Sequence, residues 1–410
     1  MPYYAATGGD STSLLIGILS LIILVIISLI LINFKVKDKK IKVFFYIMLL
    51  IQISIVFIDN YIMVFPLMGY DPRAFEGLAW FSYINNTNVG RGTYNYYVLN
   101  PIYKLIKVRS ATVFGVVNIF CNIITNINIY DILKELRIKK SVLILVMLVA
   151  ILSPISLIFR SGVLRESIII MFISYSLKSF IKFCIDKDIL QGVKAFIFVF
   201  LGTIFHGGVV FIAVGYFVGI LGGQKNKKTL QYIFFIVVLI GFIIFKDQLL
   251  EEIGGGDIDK TIQLASIYSS LNDSSSGYLR GVDTKSLGQL IMYLPLLMFY
   301  FLYSPTPEMF RGVLDILTFV LNSIIFIYFT IGTFYFYLKE KKKFTLLEKK
   351  IIKCLTVSAL LTIVVFSVGT RNFGTAIRHR DKVLPILTVI FAISRNRYII
   401  EKEKEDERTY

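Results

Sequence analysis

Between Gly369 and Lys382 the chain reads Gly-Thr-Arg-Asn-Phe-Gly-Thr-Ala-Ile-Arg-His-Arg-Asp-Lys, four cationic side chains gathered around one histidine. Wound into a helix, the run would set Arg371, Thr375, Arg378 and Lys382 on one face. Guanidinium forks grip phosphate or carboxylate in a two-pronged fashion, so Arg371, Arg378 and Arg380 are candidates to hold an anion. His379 stands between two arginines. Like-charge repulsion favours its neutral form, as a general base requires. A solvated cap at a membrane interface is the other reading of the same run.

A second cluster, Phe159-Arg-Ser-Gly-Val-Leu-Arg-Glu166, reads as a turn that opens a helix. Free N–H groups at a helix start favour anions, and a neighbouring arginine adds to that. Arg160 and Arg165 are therefore anion-binding candidates, as is Arg280 further along. Glu166 is either a base for a sugar hydroxyl or an ion-pair partner of the two arginines. His206 lies in an otherwise apolar stretch, where an ionisable group marks a functional site or a histidine bonded to a backbone carbonyl. Asn118, Asn122 and Asn126, four residues apart, form a stripe suited to joining helices. Asp257-Ile-Asp259 has the short form of a metal-dependent sugar-transferase motif, but two acids in a Gly-rich loop are a weak signal. Two histidines, three distant cysteines (Cys121, Cys184, Cys354) and no metalloprotease or phosphate-loop motif lead us to expect neither metal nor cofactor.

Apolar elements must position these residues. The 410 residues are 56% hydrophobic and only 17% charged, with a mean hydropathy of +0.73, which excludes an ordinary soluble domain. A helix needs about 20 apolar residues to cross the hydrocarbon layer. Spans are expected near 14–34, 43–64, 111–130, 142–159, 165–183, 194–221, 229–249, 287–303, 313–338, 351–368 and 383–393. The expectation is an all-α polytopic membrane protein, one multi-pass domain over 1–410 with about eleven transmembrane helices. The first helix is read as retained, with a short neutral tail outside.

The net charge of +17 is read as topology and not as affinity for nucleic acid. Lysine-rich loops at 35–42, 134–140, 182–194 and 339–343, and the tail after Arg395, belong on the cytoplasmic side. The long segments 66–110 and 251–285 then lie outside. The stretch 194–221 is about 42 Å of helix, too long for one upright crossing. A re-entrant pair with His206-Gly207-Gly208 near its apex keeps Lys225, Lys227 and Lys228 inside. A single tilted helix would instead put them outside and the 251–285 loop inside. Ten of the fourteen arginines fall on external segments under the re-entrant solution: Arg73, Arg91, Arg109, Arg160, Arg165, Arg280, Arg311, Arg371, Arg378 and Arg380. Positive charge outside opposes the topology rule, so an anionic substrate at the outer surface is expected, with contact to lipid phosphates and helix-end ion pairs as the alternative.

Five short motifs carry a resemblance: Tyr94-Asn-Tyr-Tyr-Val-Leu-Asn-Pro-Ile-Tyr103, Ser161-Gly-Val-Leu-Arg-Glu-Ser167, Phe205-His-Gly-Gly208, Tyr303-Ser-Pro-Thr-Pro307 and Gly374-Thr-Ala-Ile-Arg-His-Arg380. In order and spacing the chain resembles the Wzy-type oligosaccharide repeat-unit polymerases, in particular their EpsG-like branch. The resemblance implies a GT-C-related glycosyltransferase of O-antigen, capsule or exopolysaccharide synthesis. It would join undecaprenyl-diphosphate-linked oligosaccharides, with its active site facing outward from the bacterial cytoplasmic (inner) membrane. Membrane lipid surrounds such enzymes, and a chain-length regulator and a flippase are their implied partners. Glu166, His379 and His206 are the expected catalytic groups, and Arg160, Arg165, Arg280, Arg371, Arg378 and Arg380 the expected diphosphate ligands. Two alternatives stay open: a lipid-linked oligosaccharide flippase, and a polyprenyl-phosphate-sugar transferase that uses Asp257 and Asp259 with a divalent metal.

Overall fold

The computed structural model describes residues 10–66, 68, 71–87, 93–221, 277–279 and 287–409. Arg91, Arg280, Asp257, Asp259, Lys225, Lys227, Lys228 and the 229–249 span lie outside them. Helix α1 (Ser11–Lys35) and helix α2 (Lys39–Phe57) each begin at an aspartate, Asp10 and Asp38, whose carboxylate accepts N–H groups of the first turn. A π turn, Ile58–Ile62, ends α2. Segment 66–110, expected only as an external loop, folds into α3 (Asp71–Ile84), a π turn (Asn95–Leu99) and α4 (Asn100–Ile106). Then come α5 (Ala111–Glu135), α6 (Lys140–Leu152), α7 (Pro154–Phe159), α8 (Glu166–Asp186), α9 (Ile189–Phe205) and α10 (Phe211–Leu221). The last five are α11 (Leu287–Tyr303), α12 (Val313–Glu340), α13 (Leu346–Val368), α14 (Phe373–Arg380) and α15 (Leu384–Thr409).

Among the described residues there is no strand, only one antiparallel bridge between Gly277 and Asn372. Six helices are long and apolar enough to cross a membrane: α1, α2 with its π turn, α5, α8, α12 and α13. The pair α14–α15, bent by 58°, would make a seventh. This is the make-up of a multi-pass membrane protein. Two expected spans differ. The 142–159 stretch is two helices, because Pro154 lacks the N–H that would continue α6 and instead starts α7. The 383–393 span continues through the charged tail to Thr409.

The chain divides into two compact units, residues 1–130 with 147–171, and residues 131–146 with 172–410. In the first, the α5 asparagine stripe ties helices together. Asn122 donates to Gln52 on α2 at 3.0 Å. Asn118 donates to the carbonyls of Gly162 and Leu164 in the α7–α8 turn, the latter at 2.9 Å. In apolar surroundings such bonds leave no better partner for either group.

In the second unit α13 is central, packed by α10, α11 and α15, while α12 packs on α15. Helices α8 and α9 are antiparallel: Phe172 stacks on Phe205, and Ser176 donates to the Ala195 carbonyl at 2.8 Å. At His206 the backbone turns extended (φ −163°, ψ 113°), and a 3-10 turn over Gly207–Val210 leads into α10. Gly208 abuts Phe366, whereas Gly215 abuts the backbone of Ser358, so α10 runs antiparallel to α13 and back alongside α9.

One end of this unit carries lysines. Lys182 pairs with Glu135 at 3.1 Å, Lys343 with Glu405 at 3.2 Å and Glu401 at 3.7 Å, Lys139 with Glu403, and Arg397 with Glu348 at 2.7 Å. These are the loops and tail that sequence assigns to the cytoplasm. Helix α13 starts there with a Thr345–Glu348 capping box and ends 23 residues later, about 35 Å away, at Gly369.

Candidate functional site

At the far end of α13, the chain's two histidines meet. The rings of His206 and His379 lie 5.0 Å apart, edge to face at 87°. Phe366, in the last turn of α13, completes the triangle at 4.8 Å from His206 and 5.1 Å from His379. Lys382, fully buried, places Nζ 5.3 Å over the Phe366 ring. Both histidines and Arg378 are half-buried, so the cluster is packed from beneath and still open to approach.

Local chemistry explains why these residues converge. Gly369 ends α13, and three residues later Asn372 caps α14 by accepting the Gly374 and Thr375 N–H groups. The elbow between them is held from outside. Tyr278 donates its N–H to the Arg371 carbonyl at 2.9 Å and its hydroxyl to the Thr370 carbonyl at 2.8 Å, while its ring stacks on Tyr300 at 5.4 Å. Burial pushes the Tyr278 phenol above its ordinary pKa, so it stays a donor. Thr370 Oγ1 lies 3.2 Å from His379 Nδ1. Burial draws the Arg371 guanidinium below its ordinary pKa, against a smaller opposing influence of Tyr278.

The expected face of Arg371, Thr375, Arg378 and Lys382 is not formed as such, because α14 spans only Phe373–Arg380. Arg371 precedes its cap and Lys382 follows its end. Arg380, expected on a phosphate-binding edge, does something else. It is fully buried, and one terminal nitrogen donates to the Leu302 and Ser304 carbonyls at 2.7 Å each. The other bonds Asn322 and reaches Ser323 at 3.3 Å, and the guanidinium lies 5.1 Å over Phe326. A cation at a helix C-terminus satisfies carbonyls that lack intrahelical donors. Arg380 thus closes the end of α11, where Tyr303-Ser-Pro-Thr-Pro307 turns through a cis Ser304–Pro305 bond. It joins that end to the π turn Phe319–Ser323 of α12.

Other arginines expected to face an external anion are held by internal acceptors. Arg109 grips Glu76 with two bonds, 2.8 and 2.7 Å, and Tyr103 donates to the same carboxylate at 2.5 Å. Arg73 pairs with Asp59 at 2.8 Å, and Arg311 with Asp315 at 3.0 Å. An intramolecular carboxylate satisfies the fork as well as a ligand would.

The first unit holds the second cluster by itself. Arg160, 3% exposed, ends α7 and donates to Asn122 at 2.9 Å. It is therefore an internal tie to the α5 stripe. Glu166 is buried at the first position of α8, and Arg165 beside it is half-buried. The Tyr94 hydroxyl bonds Asn118 and lies within electrostatic range of Glu166, so the Tyr94 and Arg165-Glu166 motifs adjoin.

Sequence reasoning named both histidines but missed Thr370, Tyr278 and Phe366. A threonine between a helix-ending glycine and an asparagine cap was a local signal for the first. Nothing local marked Tyr278, which reaches the site from 92 residues away. Among the described residues no three His, Cys, Asp or Glu side chains gather as a metal site would require. The chain matches no protein-family model, no curated protein and no solved structure.

Proposed function

We propose that the chain is a polysaccharide polymerase, a glycosyltransferase that joins undecaprenyl-diphosphate-linked oligosaccharide repeat units at the outer leaflet. The observation that carries this reading is the pairing of His206 with His379 at the end of α13 opposite the lysine-rich loops, in the stretch of chain that also bears Arg371 and Arg378. By the positive-inside rule that end faces outward. The reading includes about eleven transmembrane helices of GT-C-related kind, seated in the cytoplasmic (inner) membrane of a bacterium.

In the reaction the acceptor hydroxyl oxygen attacks the anomeric carbon of the donor glycan. The bond from that carbon to the diphosphate oxygen breaks, and the lipid diphosphate leaves with the electron pair. His379 takes the acceptor proton. Arg371 and Arg378 stabilise the charge that develops on the leaving group. His206 packs against His379 and keeps its ring in one orientation. Arg165 and Glu166, at the start of α8, offer a second cationic and acidic pair for the lipid-linked substrates.

The test is turnover of a defined lipid-diphosphate oligosaccharide by purified protein, resolved by product length. Stepwise lengthening that His379→Gln abolishes is the expected result. No lengthening, with transport of intact lipid-linked units across vesicles, would make the chain a flippase. Loss of activity on chelation would favour the metal-dependent sugar transferase.

A further inference from the structure

The elbow between α13 and α14 does more than reverse the chain. Thr370 is 1% exposed, and its hydroxyl lies 3.2 Å from His379 Nδ1. Its carbonyl is held by the Tyr278 hydroxyl at 2.8 Å, and the next carbonyl by the Tyr278 N–H at 2.9 Å. The Tyr278 ring is itself stacked on Tyr300 of α11. The Thr370 backbone therefore cannot move away from His379 without breaking the contacts that seat Tyr278. In a neutral imidazole, the partner of one nitrogen decides which nitrogen carries the proton. A hydroxyl can accept as well as donate, and only its accepting role leaves a lone pair on Nε2.

We propose that Thr370 is a positioning residue whose hydroxyl accepts the His379 Nδ1–H, leaving Nε2 as the proton-accepting atom, and that Tyr278 holds Thr370 in place. The functional consequence rests on the reading of His379 as the base; the tautomer does not. Residues 277–279 thereby connect an external segment to the reacting atom: whatever moves Tyr278 moves the proton acceptor.

The chain has two histidines, so histidine-selective ¹⁵N labelling of protein without a histidine tag gives spectra from two rings. His206→Gln assigns them. At a pH where both rings are neutral, His379 in the wild type should be the Nδ1–H tautomer. Thr370→Val should mix the tautomers and lower turnover about tenfold, the effect of one neutral hydrogen bond. Thr370→Ser should restore both. An Nε2–H tautomer in the wild type, or an unchanged tautomer in Thr370→Val, overturns the proposal. The wild-type spectrum decides the matter even where Thr370→Val fails to fold. Absence of polymer from the wild type refutes the polymerase reading and leaves the tautomer result standing.

Discussion

Arg378 and Arg380 are two residues apart and chemically identical, yet their surroundings give them different work. Arg380 is fully buried against the carbonyls of Leu302 and Ser304. Arg380→Leu would strand those acceptors, at a cost of about 3 kcal/mol. Thermal unfolding in detergent should show a lowered midpoint, and yield should fall. Arg378 is half-buried, next to His379 in sequence. Arg378→Ala should leave the unfolding midpoint near wild type and cut turnover on the order of a hundredfold, the loss typical of one donor to a developing anion. Equal effects on stability from both variants would refute this division of roles. Arg165→Lys tests geometry in the same manner: lysine keeps the charge without the fork, so turnover should drop while insertion persists. At this scale sequence showed which residue types were unusual and could not show their partners. The arginine-rich external segments suggested a ligand, but Arg73, Arg109 and Arg311 meet carboxylates 14, 33 and 4 residues away. The first two separations carry no periodic signal; the third, i,i+4, is the spacing of a local helical pair.

Helices set the site through their interruptions. Helix α9 stops at His206, α13 at Gly369 and α11 at Ser304, and each break presents a side chain or a carbonyl to the same end of the second unit. The glycines after His206 differ in what they tolerate. A Cβ on Gly208 would come 2.7 Å from Cε1 of Phe366, the ring packed on both histidines. Gly208→Ala should push that ring aside, lowering turnover about tenfold or more with a small change in stability, since misplaced reacting groups are costly. Gly215→Ala drives a Cβ into the backbone of Ser358, which has no rotamer to escape into. It should instead lower the unfolding midpoint. If Gly208→Ala retains full turnover, Phe366 does not set the histidine geometry. Length raised the break at His206, because 28 residues exceed one upright crossing, while a single tilted helix stayed open. The split at Pro154 was equally available from its missing N–H. The helices inside 66–110 were hidden by aromatic and polar residues that suit an interface as well as a helix.

Across the second unit, chain direction bears on the two topologies that sequence left open. Helix α9 runs toward the histidine end and α10 runs back, as the contacts of Gly208 with Phe366 and Gly215 with Ser358 require. Residues 277–279 then stand at the histidine end again, since Gly277 bridges Asn372 and Tyr278 bonds Thr370. Helix α11 ends there too, with the Ser304 carbonyl on Arg380. A single tilted helix over 194–221 would set the 251–285 loop on the side opposite Asn372, and residues bridged by a backbone bond cannot be separated by a bilayer. Among the described residues α9 and α10 double back as the re-entrant path expects, and α11 is flanked on both sides by residues at one end. Single cysteines test it in a background where Cys121, Cys184 and Cys354, all buried, are replaced by alanine. With an impermeant thiol reagent, Ser274→Cys and Thr375→Cys should label in intact cells, whereas Lys402→Cys on the charged tail should label only after permeabilisation. Labelling of Thr375→Cys with protection of Ser274→Cys would refute the re-entrant path. Labelling of Lys402→Cys alone would invert the protein and turn the histidine pair toward the cytoplasm, where a polymerase of externally presented units could not use it.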